Sequence, residues 1–581
     1  MNYTFDRLRA QATEILTATG LVSAEAVTLA QPKPNIPADL AFPVFAHAKA
    51  AGGGNPAAFA QRVADAAVVP DGSLIGSVSA AGGFVNFAVD AERFAQAVLA
   101  DVRSAGETFG QDKNVGAGRQ VVVEFSSPNI ARKMHVGHLR TTVIGNSIRN
   151  ILDALGYETI ADNHLGDWGT QFGTLLAALD LWKLTPEDDP DPVQSLVEIY
   201  ARFNAASEAD PTLRDLARLW FKKLENGDAW ARATWQKLIE ITLAEFKGTY
   251  ERLGVAFDTT HGESFFEPML DDVVQEAIDK GVARVEPEGA VSVDFGENSL
   301  PSCLLRKTDG ATLYQTRDVA TCLWRAREYP DLARNVYVVG REQTLHFQQV
   351  FEIVRRMGHA RIADISKHIA FGQVTGASGA RFSMRQGNVI FLDEVLDEAI
   401  TRARATIAQK IAEGKTELTP GEQETVGDMI GVGAVIYADL YQGPERNIAF
   451  DWDKVLAEDG NTAVYIQYTH ARCRSILREV GEASGTGHAS LLIAPEEQAV
   501  LKQLARMPQA VREAGDKFLP AIVADWTYTL AREFARFYHE CPVLKAPTPE
   551  LRAARLELVA AVAQGLKNGL ALLGIRAPER M

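Results

Sequence analysis

Two histidines, His135 and His138, end the stretch Glu124-Phe-Ser-Ser-Pro-Asn-Ile-Ala-Arg-Lys-Met-His-Val-Gly-His138. A neutral imidazole can donate a hydrogen bond to a phosphate oxygen as charge builds on it, so the pair suits phosphoryl chemistry. Val121 to Phe125 is short, β-branched and apolar, the pattern of a buried parallel strand. Pro128 and Asn129 break it, and from Met134 apolar residues recur at helical spacing (Val136, Leu139, Val143, Ile144). That spacing puts both histidines on one face of a first helical turn. Free N–H groups and the positive end of the helix dipole favour phosphate there. Gly137 leaves room for a flat ring against the backbone. His-x-x-His alone also occurs as a metal pair, but no Cys cluster or third His lies near it in sequence. Strand, turn and glycine-bearing helix start together read as a site for nucleotide phosphates.

Such a site must be carried by a sheet. Thr159-Ile-Ala-Asp-Asn-His164 and Val336-Tyr-Val-Val339 read as further strands, the second ending at Gly340-Arg-Glu-Gln343. Ligands of doubly wound sheets collect beyond such strand ends. Residues 1 to about 105 mix a helix (Phe5–Thr19), a Pro-rich stretch (Gln31–Pro43) and short strands including Phe84-Val-Asn-Phe87. The polar, glycine-rich run Gly106–Gly118 marks a first boundary. Residues 175–255 are helical and charged, Val291–Thr316 returns to β character, and helical periodicity dominates from 406. The expected domains are therefore 1–110, 111–405 with a helical insertion at about 175–255, and 406–581.

Composition excludes some classes. A hydrophobic share of 46% in 581 residues supplies several globular cores, with no long uncharged apolar run to span a membrane. The start Met-Asn-Tyr-Thr-Phe-Asp-Arg lacks an apolar signal core, so the cytoplasm is the expected location. Cys303, Cys322, Cys473 and Cys541 are too scattered for zinc or disulfides. With 59 basic against 75 acidic residues, any nucleic-acid surface must be a local basic strip. Arg402, Arg404, Lys410, Arg472, Arg474 and Arg478 could form part of one.

The histidine segment resembles the HIGH signature of class I aminoacyl-tRNA synthetases, and its long form is similar to that of arginyl-tRNA synthetases. Further blocks resemble the same family in order: Asn163-His-Leu-Gly-Asp-Trp-Gly-Thr-Gln-Phe-Gly173, Tyr314-Gln-Thr-Arg-Asp318, Phe450-Asp-Trp-Asp453, Asn461 to Arg472, and Ala577 to Met581. The resemblance implies an α/β fold: a class I Rossmann-type catalytic domain with a helical insertion. An α+β N-terminal tRNA-contacting domain and an all-α anticodon-binding domain would flank it. The implied activity is an arginine–tRNA ligase that uses ATP with Mg2+, binds L-arginine and arginine tRNA, and works as a monomer. Cysteine- and methionine-type relatives fit less well, because zinc-ligand cysteines are missing and paired acids are present. A noncatalytic RNA-binding paralogue is the rival from another class.

The resemblance also implies roles. His135 and His138 would stabilise the reacting phosphate. Pro128, Met134, Val136, Gly137, Glu342, Phe382 and Ser383 would hold ATP. Glu124, Tyr314 and Asp318 would face the guanidinium of arginine, whose planar fork needs carboxylates. Lysine would be rejected because it cannot fill that fork. Asn129, His135 and Gln343 would hold the amino and carboxyl groups, and Glu263 is a further substrate contact. Tyr465, Tyr468 and Arg472, with Met581, Asn86 and Phe87, would meet tRNA through stacking and phosphate contacts. The second class I signature, KMSKS, departs from the family pattern: Arg381 and Met384 stand where its two lysines belong. Arg132, Lys133 and Arg385 are the candidate replacement cations.

Overall fold

The computed structural model describes residues 2–33, 36–50, 54–297, 299–375, 390–481 and 488–581. Arg381, Phe382, Ser383, Met384 and Arg385 therefore lie outside the described residues.

At the N-terminal end, the helix Thr4–Ala18 accompanies strands β1 (Leu40–Pro43), β2 (Ile75–Ala81) and β3 (Phe84–Val89), which form an antiparallel sheet of order β1-β3-β2. Strand alternation sends Val85 and Phe87 into the core, where they are 0% and 1% exposed. Phe84 and Asn86 take the opposite face.

The central sheet is parallel. Its strands are β4 (Gln120–Glu124) and β5 (Glu158–Asp162), and, beyond the small antiparallel sheet of β6 (Ala283–Val285), β7 (Val291–Val293) and β8 (Cys303–Arg306), β9 (Arg334–Gly340) and β10 (Ser366–Phe371). The order β10-β9-β4-β5 puts the topological switch between β4 and β9, and a crevice opens beyond their carboxyl ends. Period-two alternation divides the sheet between two cores. Val121, Val123, Val336 and Val338 join the core containing the helix Val136–Ala154, called the histidine helix below. Val122 and Tyr337 join a second core with the helices Tyr314–Glu328 and Thr344–Arg356. The histidine helix lies very close to β4: a Cβ at Gly145 would come within 2.2 Å of the Phe125 ring.

The helical insertion consists of Thr170–Trp182, Pro192–Ala209, Thr212–Glu225 and Ala229–Leu253. Asp191 and Asp228 cap two of these helices. The β character expected through Thr316 ends at Arg306, because Thr316 sits in the first turn of the helix Tyr314–Glu328. Packing of Val319, Ala320 and Leu323 against the second core overrides the β-branched local sequence.

The helix Leu392–Ala412 runs unbroken across the boundary expected at 405 and packs on Pro420–Leu440. The pair approaches so closely that a Cβ at Gly431 would lie 2.7 Å from the Ile400 backbone. Strands β11 (Val374–Thr375) and β12 (Ile448–Ala449) form a short parallel ladder, followed by the helices Ala463–Val480, Pro495–Ala505, Met507–Lys517, Ala521–Glu540 and Pro549–Leu572. Among the described residues no helix is long and apolar enough to cross a membrane, and all four cysteines are buried free thiols.

Candidate active site and nucleic-acid surfaces

His135 stands just before the histidine helix as its N-cap, in extended conformation (φ −121°, ψ 171°), and His138 is the third residue inside. The connection from β4 is strained: Ser126, Ser127 and Ala131 have φ of 71°, 48° and 59°, a region L-residues rarely adopt. The two imidazoles close on each other's backbone. His138 Nδ1 accepts the His135 N–H at 3.1 Å, and His135 Nδ1 accepts the Gly137 N–H at 3.0 Å. A backbone N–H can only donate, so both Nδ1 atoms are unprotonated and each neutral ring carries its proton on Nε2. Burial, then neighbouring His135, pushes His138 down to about 3; burial, then Arg132, lowers His135. Two neutral Nε2–H donors result. Gly137 is required by the His135 ring itself, since a Cβ would lie 2.7 Å from its Cε1.

The expectation of free amides at this helix start is corrected. Val136 N–H donates to Ile390 O at 3.2 Å, Gly137 N–H to the His135 ring, and His138 N–H to His135 O at 2.8 Å. The segment at Ile390–Leu392 and the cap consume these donors, so a phosphate must be met by side chains. Met134 is buried and uses its carbonyl to accept from Leu392 N. Pro128 is buried in the turn.

Beyond β4 and β9 an open cleft of about 530 Å³ is lined by Ser126, Ser127, His135 to His138, Arg140, Thr141, Val338 to Gly340, Glu342 and Phe371 to Val374. Glu342 folds back over Gly340, where a Cβ would lie 2.4 Å from its carboxylate. The Ser127 hydroxyl is buried without a partner and was not foreseen. Of the candidate cations, Lys133 pairs with Asp191 of the insertion at 2.5 Å, and Arg132 lies 5.6 Å from the Tyr200 ring centre.

Next to the cleft the acids gather around an internal arginine. Arg325, 1% exposed, donates to Glu124 at 2.7 Å, Asp162 at 2.6 Å and Asn335 at 3.1 Å. Burial raises Glu124, with Arg325 and His164 opposing and Asp162 and Asp318 adding. Burial also raises Glu263, against the field of Arg317. Asp162 is held well below the usual carboxylate range: burial opposes this, but His261, Arg325 and Thr259 outweigh it. Asp318 is hydrogen-bonded to His346, whose ring lies 4.7 Å from that of Tyr314. Tyr314 is 51% exposed, and Asn129 and Gln343 are also exposed. The sequence reading missed Arg325, Asp162 and His346. A signal for Arg325 existed, for it follows Tyr314 and Asp318 at helical spacing.

A second cleft, about 360 Å³, takes in Tyr468, Arg472 and Met581 with Lys415, Arg478 and Arg580. Arg472 lies 4.7 Å from the Tyr538 ring centre and Lys410 5.2 Å from that of Tyr468. Tyr465 is not in this lining; it packs edge-on against Tyr528. Four cations of the expected basic strip are neutralised: Arg402 by Glu398, Arg404 by Asp428, Lys410 by Glu458 and Arg474 by Glu579. In the N-terminal sheet, Phe87 as a tRNA contact is corrected, because its ring is a core residue on the inner face. Asn86 is buried with both amide atoms unpartnered, on the face of Phe84, which packs edge-on with half-exposed Phe45.

Three family profiles match the chain: "Arginyl tRNA synthetase N terminal domain" over residues 6–89, "tRNA synthetases class I (R), catalytic domain" over 101–452, and "DALR anticodon binding domain" over 466–581. An arginine–tRNA ligase of Chloroflexus aggregans is 46% identical over the full length of both chains. One from Halothermothrix orenii is 39% identical over 89% of each. The arginyl-tRNA synthetase of Thermus thermophilus superposes with a TM-score of 0.82 at 25% identity, covering 99% of this chain and all of that one. The Plasmodium falciparum arginyl-tRNA synthetase shares the fold, with a TM-score of 0.80 at 22% identity over 99% of each chain.

Proposed function

The chain belongs to the arginyl-tRNA synthetases of class I, and from that premise we propose how its residues divide the work. The protein is an arginine–tRNA ligase. The arginine carboxylate attacks the α-phosphate of ATP; the bond from that phosphorus to the bridging oxygen breaks, releasing pyrophosphate and leaving arginyl-adenylate. A ribose hydroxyl of the terminal tRNA adenosine then attacks the arginyl carbonyl, and AMP departs.

The observation that carries the site assignment is the paired Nε2–H geometry of His135 and His138 at the cleft. Two fixed neutral donors can follow charge as it develops on phosphate without gaining or losing a proton. Lys133 and Arg132, just before the histidines, supply the cations for the polyphosphate and its Mg2+, Lys133 by leaving its pair with Asp191. Glu342 meets the ribose and Val136 and Gly137 line the cleft, backed by the buried Pro128 and Met134; Phe382, Ser383 and Arg385 would complete the nucleotide set.

L-Arginine lies between Glu124, Asp318 and Tyr314 at its guanidinium and Asn129, His135 and Gln343 at its other end, with Glu263 nearby. Glu124 and Asp162 share a single cation, Arg325, so the acids keep negative charge for a second guanidinium. The basic cleft with Tyr468, Arg472 and Met581 takes unpaired tRNA bases, and Tyr465 is a separate contact outside that lining, beside Tyr528. The three functional units divide near residue 110 and along the helix Leu392–Ala412, and the enzyme acts as a cytoplasmic monomer.

Charging of arginine tRNA with labelled arginine tests this reading. Label on tRNA that depends on ATP and is not replaced by lysine supports it; no label under any condition removes it.

A further inference from the structure

Arg140 follows His138 by two residues, yet it takes no part in the chemistry described above. Its guanidinium is 0% exposed, although burying a charge is costly unless its donors are met. Here four of its five N–H donors are met: Nε donates to Asp439 at 2.9 Å, Nη1 to Gly372 O at 2.8 Å and to Arg446 O at 2.7 Å, and Nη2 to Pro444 O at 3.2 Å. Four separate stretches of chain thus meet on one planar fork: the histidine helix, the exit of β10, the helix Pro420–Leu440, and the loop that follows it.

The same stretches are laced together around the fork. Gly372 N donates to Pro444 O at 2.9 Å, Gln373 N to Asn447 Oδ1 at 2.9 Å, and β11 pairs with β12 immediately beyond. A Cβ at Gly372 would lie 2.6 Å from Arg446 O, so this close approach is built into the sequence. Phe371 to Val374 line the same cleft as the histidines, and Arg140 is part of that lining too. A size-matched apolar residue would often serve stability equally well in such a place. A rigid five-donor fork adds geometric definition that an apolar side chain lacks.

We infer that Arg140 is a positioning residue for ATP: its fork fixes the wall Phe371–Val374 relative to His135 and His138, with Asp439 as the counter-charge supplied from outside the cleft. This rests on reading the cleft as the nucleotide site. Asp439 does not line the cleft, yet its exchange should be felt there.

The test is arginine-dependent pyrophosphate exchange into ATP by the full chain in the presence of arginine tRNA, with ATP and arginine titrated separately, for wild type, Arg140→Lys and Asp439→Asn. Thermal midpoints and tRNA affinity are recorded alongside. Displacing the wall should raise the ATP KM roughly tenfold in both variants. The arginine KM and tRNA affinity should stay within about twofold. An unchanged ATP KM in folded variants overturns the inference, even if their midpoints fall, because Arg140 would then be structural only. Should either variant fail to fold, Asn447→Ala releases the wall at Gln373 alone and must show the same selective rise; its absence overturns the inference. Wild type without exchange would instead remove the reading of the cleft.

Discussion

Arg325 donates to Glu124 at 2.7 Å with both side chains almost fully buried, so the acid assigned to the substrate guanidinium already holds a resident one. Asp162 shares that cation at 2.6 Å. Glu124→Gln removes one of two negative charges while keeping the shape. The arginine KM should rise at least about tenfold, or roughly 1.4 kcal/mol, with little change for ATP. Steady-state titration of both substrates checks this, and a shared rise would move Glu124 out of the arginine site.

The raised carboxyls of Glu124 and Glu263, both caused first by burial, give a pH dependence. A guanidinium binds the charged form, so each carboxyl still protonated must release its proton. The arginine KM should therefore climb as pH falls through these raised values, while the tRNA affinity follows no such course. Arginine titrations across acidic pH decide; a flat KM contradicts the charge assignment.

His138→Ala should lower the exchange rate by about 10²- to 10³-fold, the usual cost of losing one preorganised donor to developing charge. tRNA binding, measured separately, should be unaffected. An unchanged rate would exclude His138 from the chemistry.

His138 also links stability to pH. Its folded value is about 3, against 6.5 ordinarily, so the unfolded chain binds the extra proton between them. Its contribution is fully present above pH 6.5 and is lost as pH falls below it, by about 1.4 kcal/mol per pH unit at most. Denaturant titrations near pH 7 and pH 5 should show a shallower loss for His138→Gln than for wild type. Equal slopes would contradict the neutral, buried imidazole.

Phe87 and Tyr468 separate core from surface. Phe87→Ala should cost about 3–5 kcal/mol of stability, whereas Tyr468→Ala, at a residue 41% exposed, should leave stability nearly intact and weaken tRNA binding. Denaturation and a tRNA titration on the two variants distinguish these fates.

What the sequence disclosed follows from where each signal resides. The strand into β4 and the histidine helix are local patterns, and their type was legible from β-branched and helical spacing. The cap was less so, because the partner of Val136 N–H is Ile390, far along the chain. Phe87 carried a tRNA role through the resemblance alone, and only the formed sheet shows that its face of β3 turns into the core. Helical spacing put Arg325 on the face of Tyr314 and Asp318, but its role was not legible, because its partners come from β4, β5 and β9 and only the parallel register brings those together. The bound around residue 405 was obscured because Leu392–Ala412 is one helix, with no composition shift to mark a domain edge.

Pyrophosphate exchange into ATP tests the central claim most directly, measured with arginine or lysine, each with and without arginine tRNA. Label should enter ATP only when arginine is present, with tRNA helping to complete the site. No exchange with arginine under either condition, or equal exchange with lysine, would contradict the account.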